Sequence, residues 1–323
     1  MERVNFIGFD IGGTNLRGGV VDLQGKLLHS KKERIEKAST EALFHQLSRM
    51  VKELSLLEPA IPIKGVGFGF PGFIEFSSKV VEKSPNLPLI DGVNLSQSLK
   101  DKVTYPFFID NDANVAALAE KICGAGKGSK NLVFLTIGTG LGSGLILNSR
   151  IWHGARGYGG ELGHITIEPD GRRCNCGNRG CLETLVSASA IVERAFRHSR
   201  SYPTSTLSSI DEMELTSERV HQEAVRGDPL ARWVLEETGI YLGIAIANII
   251  NFLNIELVVL GGQVMKAGDY ILLPAKREAE RRAIKGSFAS AEIKLSALGG
   301  EAGVVGAAML AAQQTGYLLH REV

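Results

Sequence analysis

The chain has 323 residues, 44% of them hydrophobic and 22% charged, enough for about two domains with full cores. Its 36 basic and 35 acidic side chains leave a formal net charge of +1, so no long-range field draws it to nucleic acid or to a charged membrane surface. A small neutral or anionic ligand suits this composition better than a polyanion, and neither nucleic acid nor membrane is expected as a partner.

The N-terminal VNFIGFD reads as a buried strand with no basic, apolar or cleavage segment before it, so a cytoplasmic location is expected. It leads into DIGGTN, a glycine turn containing Asp10, Gly12, Gly13 and Thr14, and then into a second apolar strand. A single shift of the sequence aligns FIGFDIGGTNLRGGVVD with VFLTIGTGLGSGLILN, pairing Ile11 with Ile137, Gly12 with Gly138 and Gly18 with Gly144. Turns of this kind let backbone N–H groups approach an anion closely, because no Cβ intervenes. A plain hairpin turn is the alternative for either copy, and the pairing favours two polyphosphate-binding turns on two lobes. Neither turn is a P-loop or a dinucleotide fingerprint, since each leads into a strand and not a helix.

Between the copies, FFIDNDANVAALAEKICG is a strand followed by a helix, with Asn111 and Asp112 at the junction. Both are good helix caps. The stretch is nevertheless richer in polar groups than one cap requires, at the strand end where open α/β sheets place ligands. Cys123, on the apolar face of that helix, reads as a small core residue. Further on, CNCGNRGC gathers Cys174, Cys176 and Cys181 in the spacing C-x-C-x4-C, with glycines that permit tight turns. In a reducing compartment such thiols are free, catalytic or metal-bound. His164, at the end of GGELGH, would complete a Cys3His set for a structural zinc. Four protein ligands leave no open position for an activated water, which argues against a zinc hydrolase. The apolar run from Ile240 to Leu253 is too short for a membrane span and reads as a core helix. IELVVLGGQV then ends a strand at Gly261 and Gly262, either a bare strand-to-helix turn or a place for a flat ligand such as adenine, before a charged helix over about Tyr270 to Ile284.

Taken together, DIGGTN, DNDAN (110 to 114), IGTGLGSG, GELGH and CNCGNRGCLE resemble the ROK family of sugar kinases and sugar-responsive repressors, over about residues 4 to 312. One departure is Asp110, where the family commonly carries Glu. The resemblance implies an α/β, two-lobed actin-like ATPase fold built on ribonuclease-H-like sheets, with a structural zinc loop and with ATP and a sugar meeting between the lobes. The smaller lobe would span residues 1–110 and regain a C-terminal helix over 305–323, and the larger would span 111–304. It also implies that Asp10 positions Mg2+, that the turns at Gly12, Gly13, Thr14 and at Gly138, Thr139, Gly140 bind phosphates, and that Gly261 and Gly262 border the adenosine. Asn111, Asp112, Glu161, His164 and Glu183 would face the sugar, with Asp112 as catalytic base. So many acceptors suit the hydroxyls of a neutral polyol and would repel an anion. Zinc on one ring nitrogen of His164 would orient the other, while Cys181 holds the loop that carries Glu183.

The expected activity is ATP-dependent phosphorylation of a hexose. Glucose is favoured because SPNLP (84 to 88) resembles the glucose-specific members. N-acetylmannosamine, N-acetylglucosamine, fructose and allose kinases share the other motifs. A sugar-sensing repressor would need a helix-turn-helix module, for which only nine residues precede Asp10. A homo-oligomer, dimer or tetramer, is expected from the resemblance.

Overall fold

The computed structural model describes residues 3–211 and 213–318. It opens with β1 (Asn5–Ile11), β2 (Asn15–Asp22) and β3 (Leu27–Arg34), an antiparallel meander whose first strand is buried along almost its whole length. Helix α1 (Thr40–Ser55) begins where the Ser39 side chain accepts the Ala42 N–H, and it buries Leu43, Phe44, Leu47, Met50, Val51 and Leu54 at helical spacing. Then follow β4 (Ile63–Phe70), the short hairpin β5 (Phe73–Ile74) and β6 (Val81–Lys83), α2 (Leu95–Lys100), β7 (Phe107–Asn111) and α3 (Asp112–Cys123). The first sheet has the order β3-β2-β1-β4-β7, with β4 parallel to both β1 and β7. Phe9 stacks on Phe68 across β1 and β4 with ring centroids 5.2 Å apart. Parallel pairing also puts Asp10, Gly69 and Asp110 in one row. The first glycine turn and the start of α3 therefore leave the sheet at the same, C-terminal, end of its parallel strands.

The chain continues through β8 (Leu132–Ile137), β9 (Leu141–Leu147) and β10 (Arg150–Ile151), then α4 (Glu183–Val186), α5 (Ala188–His198), α6 (Ser217–Arg226) and α7 (Pro229–Leu253). It ends with β11 (Leu257–Gly261), α8 (Asp269–Arg282), α9 (Lys285–Ala289), β12 (Glu292–Leu295) and α10 (Ala302–Gln314). The second sheet runs β10-β9-β8-β11-β12, the same order of three successive strands followed by two later ones as in the first sheet. That is the structural form of the internal repeat. The expected core helix is longer than its apolar run, because Asp228 caps it and Pro229 occupies its first turn. At 25 residues it is long and apolar enough to cross a membrane by composition alone, yet 61% of its apolar window is buried against the rest of the protein.

Two compact units result. One draws on the chain up to Phe134, on Gly144–Gly160 and on the chain from Ser296; the other is Leu135–Ser143 with Glu161–Leu295. The division expected after residue 110 does not coincide with this, because α3 packs on α10 within the first unit. The C-terminal helix ends at Gln314, short of the expected 323, and residues 319–323 lie outside the described residues.

Helix α10 lies directly on β1 and β4, where a Cβ at Gly8 or Gly67 would collide with the carbonyl of Val304 or Ala307. Gly67→Ala is therefore expected to destabilise the first unit by about 3 kcal/mol, since backbone on both sides resists a shift. A melting curve against wild type checks this, and an unchanged Tm would mean that the helix can retreat.

Candidate active site and metal centre

The cysteine loop is a tight double turn built by its own backbone. Cys174 N–H donates to Asn178 O at 2.8 Å, Gly177 N–H donates to Cys174 O at 3.0 Å, and Leu182 N–H ties the exit to Ile165 O at 3.0 Å. Gly177 at φ 99° and Gly180 at φ 65° take the left-handed conformations these turns need. The result gathers His164, Cys174, Cys176 and Cys181 with one ligand atom of each within 4.8 Å of all the others. Cys174 Sγ lies 3.6 Å from His164 Nδ1, and Cys176 Sγ lies 3.7 Å from Cys181 Sγ, far beyond a disulfide bond. These separations match the edges of a tetrahedron with metal–sulfur bonds of about 2.3 Å and a metal–nitrogen bond of about 2.1 Å. Burial, with the neighbouring Cys176 and Cys174 thiols, pushes the Cys181 thiol up to about 12, and a divalent cation among the three sulfurs would offset their mutual repulsion as thiolates. The donor set fits zinc. Cys123 lies apart from it, in α3.

His164 turns Nδ1 to the cysteines, and its Nε2 lies 4.0 Å from Glu161 Oε2. Glu161 stands just before the 3-10 turn Leu162–His164, with burial and the Glu183 carboxylate raising its pKa to about 7. Glu183 opens α4 directly after the cysteine loop, and its Oε2 accepts the Leu141 N–H at 2.8 Å. A Cβ on Gly140 would sit 2.5 Å from that same oxygen. One carboxylate thus joins the cysteine loop to the glycine turn of Gly138, Thr139 and Gly140, a link no spacing in the sequence announced. Gly138 O accepts the Ala188 N–H at 2.8 Å, and Gly138 has open space where a Cβ would point. Gly261 ends β11, and Gly262, at φ 89°, packs so tightly on the Ile137 backbone that no side chain fits there. The second and third glycine turns are therefore neighbours in one unit.

In the other unit, Gly12 N–H donates to Asn15 O at 3.0 Å and Thr14 O accepts the Ile35 N–H at 3.0 Å, which closes the first turn. Gly13 lies against the Asn86 carbonyl of SPNLP with no room for a side chain. Burial raises the pKa of Asp10, and neighbouring Arg17, whose guanidinium also donates to Gly300 O at 2.9 Å, pulls it down. A partly buried carboxylate beside a glycine turn is a fit for Mg2+.

The helix cap is Asn111. Its Oδ1 accepts the N–H groups of Ala113 at 2.8 Å and Asn114 at 3.2 Å, and its amide donates to Gly72 O at 3.1 Å. Asp112 is the first residue of α3, its Oδ1 2.8 Å from Ala113 N. The sequence marks Asp110 only as a departure from the family's usual Glu. The structure makes it a hub: it is 5% exposed, its Oδ1 accepts from Asn111 N at 2.8 Å and Asn114 Nδ2 at 2.9 Å, and its Oδ2 meets His153 Nε2 at 2.7 Å. His153 lies 43 residues away in the chain, and no local pattern singles it out.

The ROK family model matches residues 6–314. The glucokinase of Halalkalibacterium halodurans is 36% identical over 321 residues, covering 96% of this chain and 95% of that protein. The xylose repressor of Bacillus subtilis is 31% identical over 302 residues, covering 93% of this chain and 75% of the repressor. The crystal structure of a ROK family glucokinase from Streptomyces griseus in complex with glucose and AMPPNP superposes with a TM-score of 0.81 at 30% identity, covering 96% of this chain and 99% of that one. The actin-like α/β fold expected from the motifs is borne out. With a family model spanning nearly the whole sequence and full-length relatives above 30% identity, the chain belongs to the ROK family.

Proposed function

We propose that the protein is an ATP-dependent hexokinase that converts glucose to glucose 6-phosphate. The observation that carries this reading is the convergence of His164, Cys174, Cys176 and Cys181 beside the acceptors Glu161 and Glu183, in a chain 36% identical to a named glucokinase. Glu161, Glu183 and Nε2 of His164 supply acceptors for sugar hydroxyls, and together with Asp112 they disfavour an anionic substrate.

In this reading the sugar hydroxyl donates a hydrogen bond to the Asp112 carboxylate, its oxygen attacks the γ-phosphorus, and the bond to the bridging oxygen breaks to release ADP. The proton passes to Asp112. A carboxylate at a helix N-terminus is a weak base, which suits a loose transition state in which the proton leaves late and orientation matters more. Asn111 is already committed to capping α3 and to Gly72 O, so one amide hydrogen remains for the sugar. Mg2+, held near Asp10, would neutralise charge on the phosphates, while the backbone of Gly12 to Thr14 and of Gly138 to Gly140 would cradle them and Gly261 and Gly262 would border the adenosine. Zinc, held by His164 and the three cysteines, would fix the loop and present Nε2 to the sugar.

Coupled ADP release across neutral sugars tests the assignment. Glucose is expected to give the highest kcat/KM, with the phosphoryl group on O6. A higher value for N-acetylmannosamine or fructose would overturn glucose and leave the kinase, whereas ATP turnover without sugar would count against both. We also read the enzyme as a cytoplasmic homo-oligomer, a dimer or tetramer that sedimentation would resolve.

A further inference from the structure

Two cavities in the first unit, of about 630 Å³ and 480 Å³, share Ser77, Lys79, Ser96 and Phe107 and so form one groove. Three of its side chains are cationic, Lys79, Lys100 and Arg150, while His153 is engaged by Asp110. One is acidic, Asp110, and both of its oxygens are already occupied. Lys100 and Arg150 have no ion-pair partner among the described residues. Lys79 Nζ stands 3.8 Å over the Phe76 ring, and nearby Glu75 is taken up by Ser77 and Ser78. A chain of almost zero net charge has thus placed Lys100 and Arg150, neither with a counter-ion among the described residues, in one concave place beside Lys79, which feels Asp110 and Glu75. The remaining walls are of two kinds, the apolar Phe76, Phe107 and Leu310, and the hydroxyl and amide groups of Ser96 and Gln314. Cations call for a phosphate, amides and hydroxyls for a polyol, and the aromatic faces for the C–H surface of a ring.

The groove also reaches the catalytic loop. His153 packs on Phe76 with ring centroids 4.0 Å apart and holds Asp110, which in turn holds Asn111 N–H and Asn114 immediately around Asp112. Anything that displaces the His153 ring changes the support of that loop.

We propose that this groove binds a phosphate monoester of a small polyol, the chemical class of the kinase's own product, and that its occupancy slows turnover through His153 and Asp110. The second half rests on the kinase reading; the binding does not.

The test is calorimetric titration of the full chain with glucose 6-phosphate, in saturating glucose and a non-hydrolysable ATP analogue that fill the active site. Lys79→Asn, chosen because Asn tolerates the φ of 57° at this position, and Arg150→Gln are titrated alongside after their melting temperatures are matched to wild type. Wild type is expected to bind one ester per chain, and each variant to weaken it by at least about tenfold. Inorganic phosphate should bind at least about tenfold more weakly than the ester; equal affinity would overturn the polyol assignment. No binding by wild type, or unchanged affinity in both variants, would overturn the site. For the second half, added glucose 6-phosphate should lower kcat at saturating glucose in wild type, and His153→Asn should keep binding while losing that inhibition. Inhibition that persists in His153→Asn removes the proposed route. A protein that binds the ester without phosphorylating any sugar would sink the kinase reading and leave the groove.

Discussion

Asp112→Asn is expected to lower kcat by roughly 10²- to 10⁴-fold while leaving sugar and nucleotide binding within about tenfold, because an amide keeps the size of the side chain but cannot accept the hydroxyl proton. The structure makes this variant cleaner than the sequence alone promised. Asn111, not Asp112, caps α3, so neither Asp112→Asn nor Asp112→Ala removes the cap. Asn111→Ala should instead cost about 1 kcal/mol of stability. Paired measurements of kcat and Tm on Asp112→Asn and Asn111→Ala separate the two roles. Near-normal turnover in Asp112→Asn would move the base elsewhere, with Glu161 the next candidate.

Loss of the metal is the second large effect. The protein purified without added zinc should contain about one zinc per chain, and Cys176→Ser should lose both the metal and at least roughly 100-fold in hexose kcat/KM. Cys176 is the exposed cysteine of the set, so serine there perturbs packing less than at Cys181, which is fully buried. Binding of a nucleotide analogue should persist, since the turns at Gly12 and Gly138 keep their own backbone hydrogen bonds. The weak point is Glu183, whose carboxylate ties the zinc loop to the Leu141 N–H. Nucleotide affinity that falls together with zinc would show that this tie also shapes the phosphate turn. A metal-free protein with full activity would remove the zinc assignment.

Much of the fold was legible because its signals are local. The repeated strand–turn–strand appears as two sheets of the same strand order. The cysteines and His164 converge as their spacing predicts, because the glycines between them take the left-handed turns that short-range geometry demands. Helix α8, Asp269–Arg282, lies within two residues of its expected ends. Less legible were the boundaries between units, because α3 is assigned by which helix it packs against, and its partner α10 comes from the far end of the chain.

By itself the sequence determined the elements, the glycine turns, the clustering of His164 with the three cysteines and the family, since each depends on residue type and short spacing. Only the tertiary structure decided which polar groups are already committed to one another. Asp110 stood out in the sequence only as a departure from the family's usual Glu, and folding made it the support of the junction around Asp112 by bringing His153 to it. Glu183 looked like a sugar ligand alone, and folding gave one of its oxygens to the Leu141 N–H of the second glycine turn. The physical reason is the same in both cases: a buried carboxylate must find donors, and donors distant in the chain are identified only when the backbone closes around it.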